Sequence, residues 1–92
     1  MIDVANVPAA LEYRATLDGE QVGLIRYTIE GDTISMLHTD VAPQHEHEGI
    51  GTELVQRALD DVRARGQHVR PLCPFVAAFI AENSAYGDLV AD

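Results

Sequence analysis

Glu48-Gly49-Ile50-Gly51-Thr52 stands where an extended stretch of the chain gives way to a helical one. The first N–H groups of a helix have no internal partner and point outward at its positive end. Gly49 and Gly51 let a ligand approach the backbone closely, and Thr52 adds a hydroxyl. These are the parts needed to hold a phosphate. The same glycines would serve equally well in a tight loop before an ordinary helix. Neither the dinucleotide-binding Gly-x-Gly-x-x-Gly pattern nor a lysine-containing phosphate loop is present.

Other residues invite chemistry singly. His38 falls near the end of an extended segment, and an unperturbed imidazole titrates close enough to neutrality to serve as a base. It would equally suit a structural histidine held between sheet and helix. Cys73 precedes a second helical stretch, and a thiol at a helix N-terminus can be acidic and nucleophilic. A lone cysteine is as often a small buried hydrophobe. His45 and His47, with Glu46 and Glu48, have ligand types that suit zinc. Residues two apart in a loop make a poor tetrahedral set, and no distant cysteine–histidine cluster completes it, so no metal is expected.

The elements that position these residues follow from periodicity. Leu11 to Leu17 alternates, with Leu11, Tyr13, Ala15 and Leu17 on one face, and predicts a strand with its other face wet. Asp18-Gly19 marks a hairpin turn. Val22 to Ile29 predicts a second strand, with Ile25, Tyr27 and Ile29 on one side, and Gly31-Asp32 the next turn. Thr33 to Val41 predicts a third. The first forty residues thus read as a three-stranded antiparallel meander. After Ala42-Pro43 the period changes: Leu54, Val55, Ala58, Leu59 and Val62 recur at helical spacing from Gly51 on, with Arg63 and Arg65 near the end and Gly66 to stop it. His68 to Cys73 predicts a fourth strand, parallel to the third because a helix crosses between them. Pro71 within it implies an edge, a bulge or a place where strands separate. Pro74 opens a second helix that buries Val76, Ala77, Phe79 and Ile80. No regular element is assigned to Tyr86 to Asp92. The fold class is α/β.

The chain has 92 residues, enough for one domain, and 47% of them are hydrophobic, enough for a core. Net charge is -9, with 15 acidic residues against six arginines and no lysine. Nucleic acid and membrane are therefore not expected partners: there is no broad basic surface, and no apolar run approaches the roughly 20 residues of a membrane helix. A cationic substrate such as an amine is favoured by the overall field, whereas a polyanion must be held by locally aimed groups. Met1-Ile2-Asp3-Val4-Ala5-Asn6 places no basic residue ahead of an apolar stretch, so no secretory signal is expected. One cysteine allows no internal disulfide and fits a reducing compartment, the cytoplasm.

His38-Thr39-Asp40-Val41-Ala42-Pro43, followed by Glu46-His47-Glu48-Gly49-Ile50-Gly51-Thr52-Glu53-Leu54-Val55, resembles the acyl-CoA signature of the GNAT superfamily of N-acetyltransferases. Val69 to Ile80, with its Pro71-Leu72-Cys73-Pro74 segment, is similar to a branch of small stand-alone domains of about this length. The resemblance implies that residues 1–92 form a single acyl-CoA-binding domain. It implies that the amides from Glu46 through His47, Glu48, Gly49, Ile50 and Gly51 to Thr52 wrap the pyrophosphate of acetyl-CoA or coenzyme A. Thr39 and Val41 would pair by backbone with the pantetheine arm, between strands that splay at Pro71. Asn83 would lie near the coenzyme. Tyr86 falls where many relatives carry a tyrosine that protonates the departing thiolate, though it would equally pin the C-terminal tail. The departures are Glu46 where Arg or Gln is frequent, His47 where glycine is frequent, and Asn83-Ser84 where the branch tends to have His-Pro. The N-terminal helices that shape the acceptor pocket of larger relatives have no counterpart in this sequence.

The implied activity is transfer of an acetyl group from acetyl-CoA to an amine of unknown identity, a small amine or a protein lysine. Such transfer needs a base for the amine, an N–H for the carbonyl oxygen and an acid for the thiolate. His38 and Cys73 lie toward the acyl end and are the catalytic candidates, with Cys73 either taking the acetyl group or lining its pocket. A non-catalytic acyl-CoA-binding module and a purely structural α/β domain are the alternatives, since resemblance alone does not establish turnover.

Overall fold

The computed structural model describes residues 2–91; Met1 and Asp92, the outer ends of the two terminal stretches considered above, lie outside it. The strands are β1 (Asp3–Val7), β2 (Glu12–Leu17), β3 (Glu20–Glu30), β4 (Thr33–Val41) and β5 (His68–Pro71), and the α-helices are α1 (Ile50–Ala64) and α2 (Pro74–Glu82). Short 3-10 turns cover Pro8–Ala10, Pro43–His45 and Ser84–Leu89. The strands form one sheet in the order β1-β2-β3-β4-β5, antiparallel from β1 to β4 and parallel between β4 and β5.

The expected meander is present as β2 to β4, and a further antiparallel strand, β1, extends it at the edge. Asp3 and Asn6 break the apolar alternation of β1, so its sequence carries only a faint strand signal. Asn6 is recruited by pairing: its side chain accepts a hydrogen bond from the Tyr27 hydroxyl at 2.6 Å. The tight turn at Asp18-Gly19 is the one expected, with φ of 51° and 84°, the left-handed pair that joins two strands in register.

α1 covers one face of the sheet. Its Leu54, Val55, Ala58, Leu59 and Val62 pack into the same core as Tyr13, Ala15, Ile25, Tyr27, Ile34, Met36 and Val69. Tyr13 anchors the contact, donating to Asp61 at 2.8 Å. Burial, then the carboxylate it faces, push its phenol far above the ordinary range and keep it a donor.

Some local expectations are corrected. Leu11 lies outside β2, in a left-handed conformation with φ of 57°, and is exposed. Glu12, placed by alternation on a wet face, is buried, because Arg14 and Arg26 close over its carboxylate at 2.8 and 2.9 Å. Ile29 is exposed, because β2 pairs with β3 only as far as Arg26, whereas its partner Ile34 is buried with β5 beside it. Ala77 faces solvent; α2 buries Val76, Phe79 and Ile80. β5 stops at Pro71, short of Cys73. The C-terminal stretch is also ordered: Leu89 is buried, and Val90 forms a parallel bridge to Val69 on the outer edge of β5. No helix among the described residues is long and apolar enough to cross a membrane.

Two irregularities prepare the site. The pairing of β3 and β4 shifts between Arg26↔His38 and Tyr27↔Met36, leaving Leu37 as an extra residue in a bulge. Side chains alternate along a strand, so one inserted residue reverses the faces beyond it. Thr39 therefore shares a face with Met36 and Ile25, while His38 and Asp40 point to the side away from α1. Secondly, the β4–β5 ladder ends at Met36↔Pro71. After a last bond from Cys73 N–H to the Met36 carbonyl at 2.9 Å, the chain turns away into α2. Among the described residues, the β4 edge from Leu37 to Val41 has no neighbouring strand on that side. Pro71, without an N–H, stands where the strands part.

Candidate functional site

Where β4 and β5 separate, the gap opens into a cleft of about 390 Å³. Its walls are Thr39 and Val41 from β4, Glu46, His47 and Gly49 from the loop, Ile50, Gly51 and Thr52 from the first turn of α1, and Phe75 from α2. The loop is built from left-handed backbone: His47 has φ of 71° and Gly49 φ of 79°. His47 thus holds a conformation in which glycine is at ease and an L side chain is not.

The loop leaves donors unused. His45, Glu46 and Glu48 N–H groups bond back to Ala42, Pro43 and His45 carbonyls, and Glu53 N–H to Gly49. The N–H groups of His47, Gly49, Ile50, Gly51 and Thr52 have no backbone acceptor among the described residues. Gly51 keeps the cleft open, since a Cβ there would lie 3.0 Å from the Phe75 ring and 3.4 Å from a Val41 methyl. A concave site with unpaired N–H groups at a helix N-terminus, one apolar wall and a free strand edge suits an elongated ligand with an anionic group and amides.

Cys73 lies just behind this lining. It is buried and N-terminal to α2, with its sulfur 3.4 Å from the Thr39 hydroxyl. Burial works to raise the thiol's pKa, but hydrogen bonds from the Thr39 hydroxyl and the Val76, Phe75 and Thr39 N–H groups outweigh it and leave the pKa below the ordinary value. A depressed pKa enlarges the thiolate fraction at neutral pH. The rate of Cys73 alkylation should therefore rise with pH and level off earlier than for a free cysteine. In Thr39→Val the midpoint should move to higher pH and alkylation at neutral pH should slow. An unchanged midpoint would mean that the hydroxyl does not hold the sulfur.

The other candidates lie apart. His38 is exposed on the opposite face of β4, with Nε2 3.0 Å from Asp40. Glu48 turns to His45 at 3.0 Å and does not line the cleft. Asn83 closes the end of α2, donating to the Phe79 carbonyl at 2.8 Å. Tyr86 donates to Asp60 at 2.7 Å and packs on Phe79, with the Arg63 guanidinium over its ring. The Asp60 carboxylate, then burial, raise its phenol pKa and hold its proton. Among the described residues no His, Cys, Asp and Glu side chains group in a way that could hold a metal ion. Phe75 was given no role by the sequence; an apolar residue in the first turn of α2 that stays 45% exposed becomes notable only once α1 lies opposite.

The sequence model of one protein family, described as GCN5-related N-acetyl-transferase, matches residues 12–89. The chain belongs to that family. Solved structures agree in fold. A GCN5-like protein from Staphylococcus aureus superposes with a TM-score of 0.72 at 16% identity, covering 97% of this chain and 87% of that one. The ribosomal-protein-S18-alanine N-acetyltransferase from Escherichia coli gives 0.62 at 19% identity, covering 82% and 50%. A GNAT family acetyltransferase from Brucella melitensis, solved in complex with acetyl-CoA, gives 0.59 at 23% identity, covering 78% and 54%. The chain thus spans about half the length of the last two proteins. No curated protein matches it in sequence. In this member of the family, the cleft is bounded by the parted strands and the first turn of the crossover helix.

Proposed function

We propose that this chain is a single acyl-CoA-binding domain of the small branch marked by Pro71-Leu72-Cys73-Pro74, and that it transfers an acetyl group from acetyl-CoA to an amine in the cytoplasm. The observation that carries this is the set of unpartnered N–H groups at His47, Gly49, Ile50, Gly51 and Thr52 around one cleft. In a chain of net charge -9, a pyrophosphate must be held by such aimed dipoles. These residues fit it: the donors are free, and Gly51 keeps space that a Cβ would take. Glu46 and Glu48 contribute backbone to the same turn. The free edge of β4 at Thr39 and Val41 receives the pantetheine amides, and Asn83 and Tyr86, past the C-terminal end of α2, lie near the coenzyme's outer part.

The thioester supplies an activated acetyl group. Cys73 thiolate forms a new C–S bond to the acetyl carbon as the coenzyme's C–S bond breaks, and the departing thiolate takes a proton from water. The amine then attacks the acetyl carbon and the Cys73 thiolate leaves; His38, on the opposite face of β4 from Cys73, takes the amine proton by relay through water rather than by direct contact. The acceptor is an amine, small or on a protein lysine, and the acidic surface favours its cationic form in solution.

Transfer is tested by coenzyme thiol release over a panel of amines. Cys73→Ala and His38→Ala should each bind acetyl-CoA as the unaltered chain does while turnover falls roughly 100-fold. Mass spectrometry of the unaltered chain with acetyl-CoA alone should find the acetyl group on Cys73. Full turnover by Cys73→Ala would reduce Cys73 to a pocket wall. If the unaltered chain binds acetyl-CoA but acetylates no amine, the transferase reading fails.

A further inference from the structure

A groove of about 530 Å³ continues from the cleft along the exposed flank of α1, sharing Gly49 and Thr52 with it and adding Glu53, Gln56, Arg57 and Asp60. We infer that Arg57 binds the phosphate on the adenosine ribose of coenzyme A and sets a preference for the phosphorylated coenzyme. This rests on the acyl-CoA reading above, since it follows the ligand outward from the pyrophosphate turn.

Placement and charge carry the inference. Arg57 lies five residues beyond Thr52, roughly 7.5 Å along the helix axis. That is the scale of one ribose separating two phosphates. Among the described residues, Arg57 is the only arginine that lines either the cleft or the groove. The other charged side chains of the groove are Glu53 and Asp60, which would repel a dianion, so Arg57 is the group there that can offset them.

Arg57 also has capacity to spare. It gives one N–H to Glu53 at 2.7 Å, and a guanidinium has five. The Glu53 contact holds the side chain while leaving donors for a bidentate phosphate contact. Arg70 lies on β5 and lines neither the cleft nor the groove, and the remaining four arginines are committed elsewhere. Arg63 is held by both oxygens of Asp88 and the Ala85 carbonyl, Arg65 by Asp61, and Arg14 and Arg26 by Glu12.

The test is calorimetric titration of the full chain with coenzyme A and with dephospho-coenzyme A, which lacks only that phosphate. The unaltered chain should prefer coenzyme A by about fivefold, as expected for a half-exposed ion pair, and the preference should shrink with added salt. Arg57→Gln should bind the two equally, with its affinity for dephospho-coenzyme A unchanged, and Arg57→Lys should keep part of the preference. Equal binding by the unaltered chain, or a preference that survives in Arg57→Gln, overturns the assignment to Arg57 and leaves the acyl-CoA reading standing. Failure of the unaltered chain to bind either ligand overturns both.

Discussion

Gly49→Glu should lower the affinity for acetyl-CoA at least about 100-fold in a calorimetric titration, from two effects acting together. Gly49 has φ of 79°, and nothing lies within 4 Å of where its Cβ would stand. The new side chain therefore meets no clash but must adopt the left-handed region, at a cost of roughly 1–2 kcal/mol. It also sets a carboxylate beside N–H groups proposed to face a pyrophosphate. Like charges about 4 Å apart at an effective dielectric of 20 repel by about 4 kcal/mol. Gly49→Ala separates the two effects: it carries the backbone strain alone and should bind only modestly more weakly. Equal binding by Gly49→Glu and the unaltered chain would place the ligand elsewhere.

Leu59→Ala should cost about 3 kcal/mol of folding stability and lower the melting temperature by about 15 °C. Leu59 is fully buried at the centre of the face that α1 presents to the sheet. A domain of this size has a total stability on the order of 5–10 kcal/mol, so one such cavity removes a large part of it. Because α1 also carries the phosphate turn, acetyl-CoA should restore part of the lost melting temperature by mass action. A loss below about 5 °C would mean that the neighbouring side chains collapse into the vacated space.

The sequence carried the ladder of elements well where local chemistry set it. Asp18-Gly19 and Gly31-Asp32 fixed two hairpins, the bounds of β4 were readable from its β-branched run, and α1 announced itself by spacing. β1 was not readable, because its polar residues are satisfied only by partners distant in sequence, as Asn6 is by Tyr27. The burial of Glu12 depends likewise on Arg26 from the next strand. The bulge at Leu37 left no trace, since an extra apolar residue in an apolar strand changes nothing in composition. It nevertheless decides which face His38 occupies. The loop-side lining from Thr39 to Thr52 lay within the phosphate-turn stretch, whereas Phe75 is brought in by packing of α2 against α1. Asn83 and Tyr86 were named by position alone; their partners, the Phe79 carbonyl and Asp60, are set by helix geometry and tertiary packing.

The parting of β4 from β5 after Met36 and Pro71 leaves a run of main-chain amides inside the sheet with no strand among the described residues to answer them. Every residue type but proline offers the same N–H and carbonyl, so whatever lies along this edge is recognised by groups that substitution scarcely touches. Mutation can then rewrite the side chains around the gap without erasing the gap. Sequence drift and loss of the site can thus become separate events. The vulnerable positions are the few that shape the backbone itself: the residue that ends the ladder, the extra residue in the bulge, and the glycines of the turn.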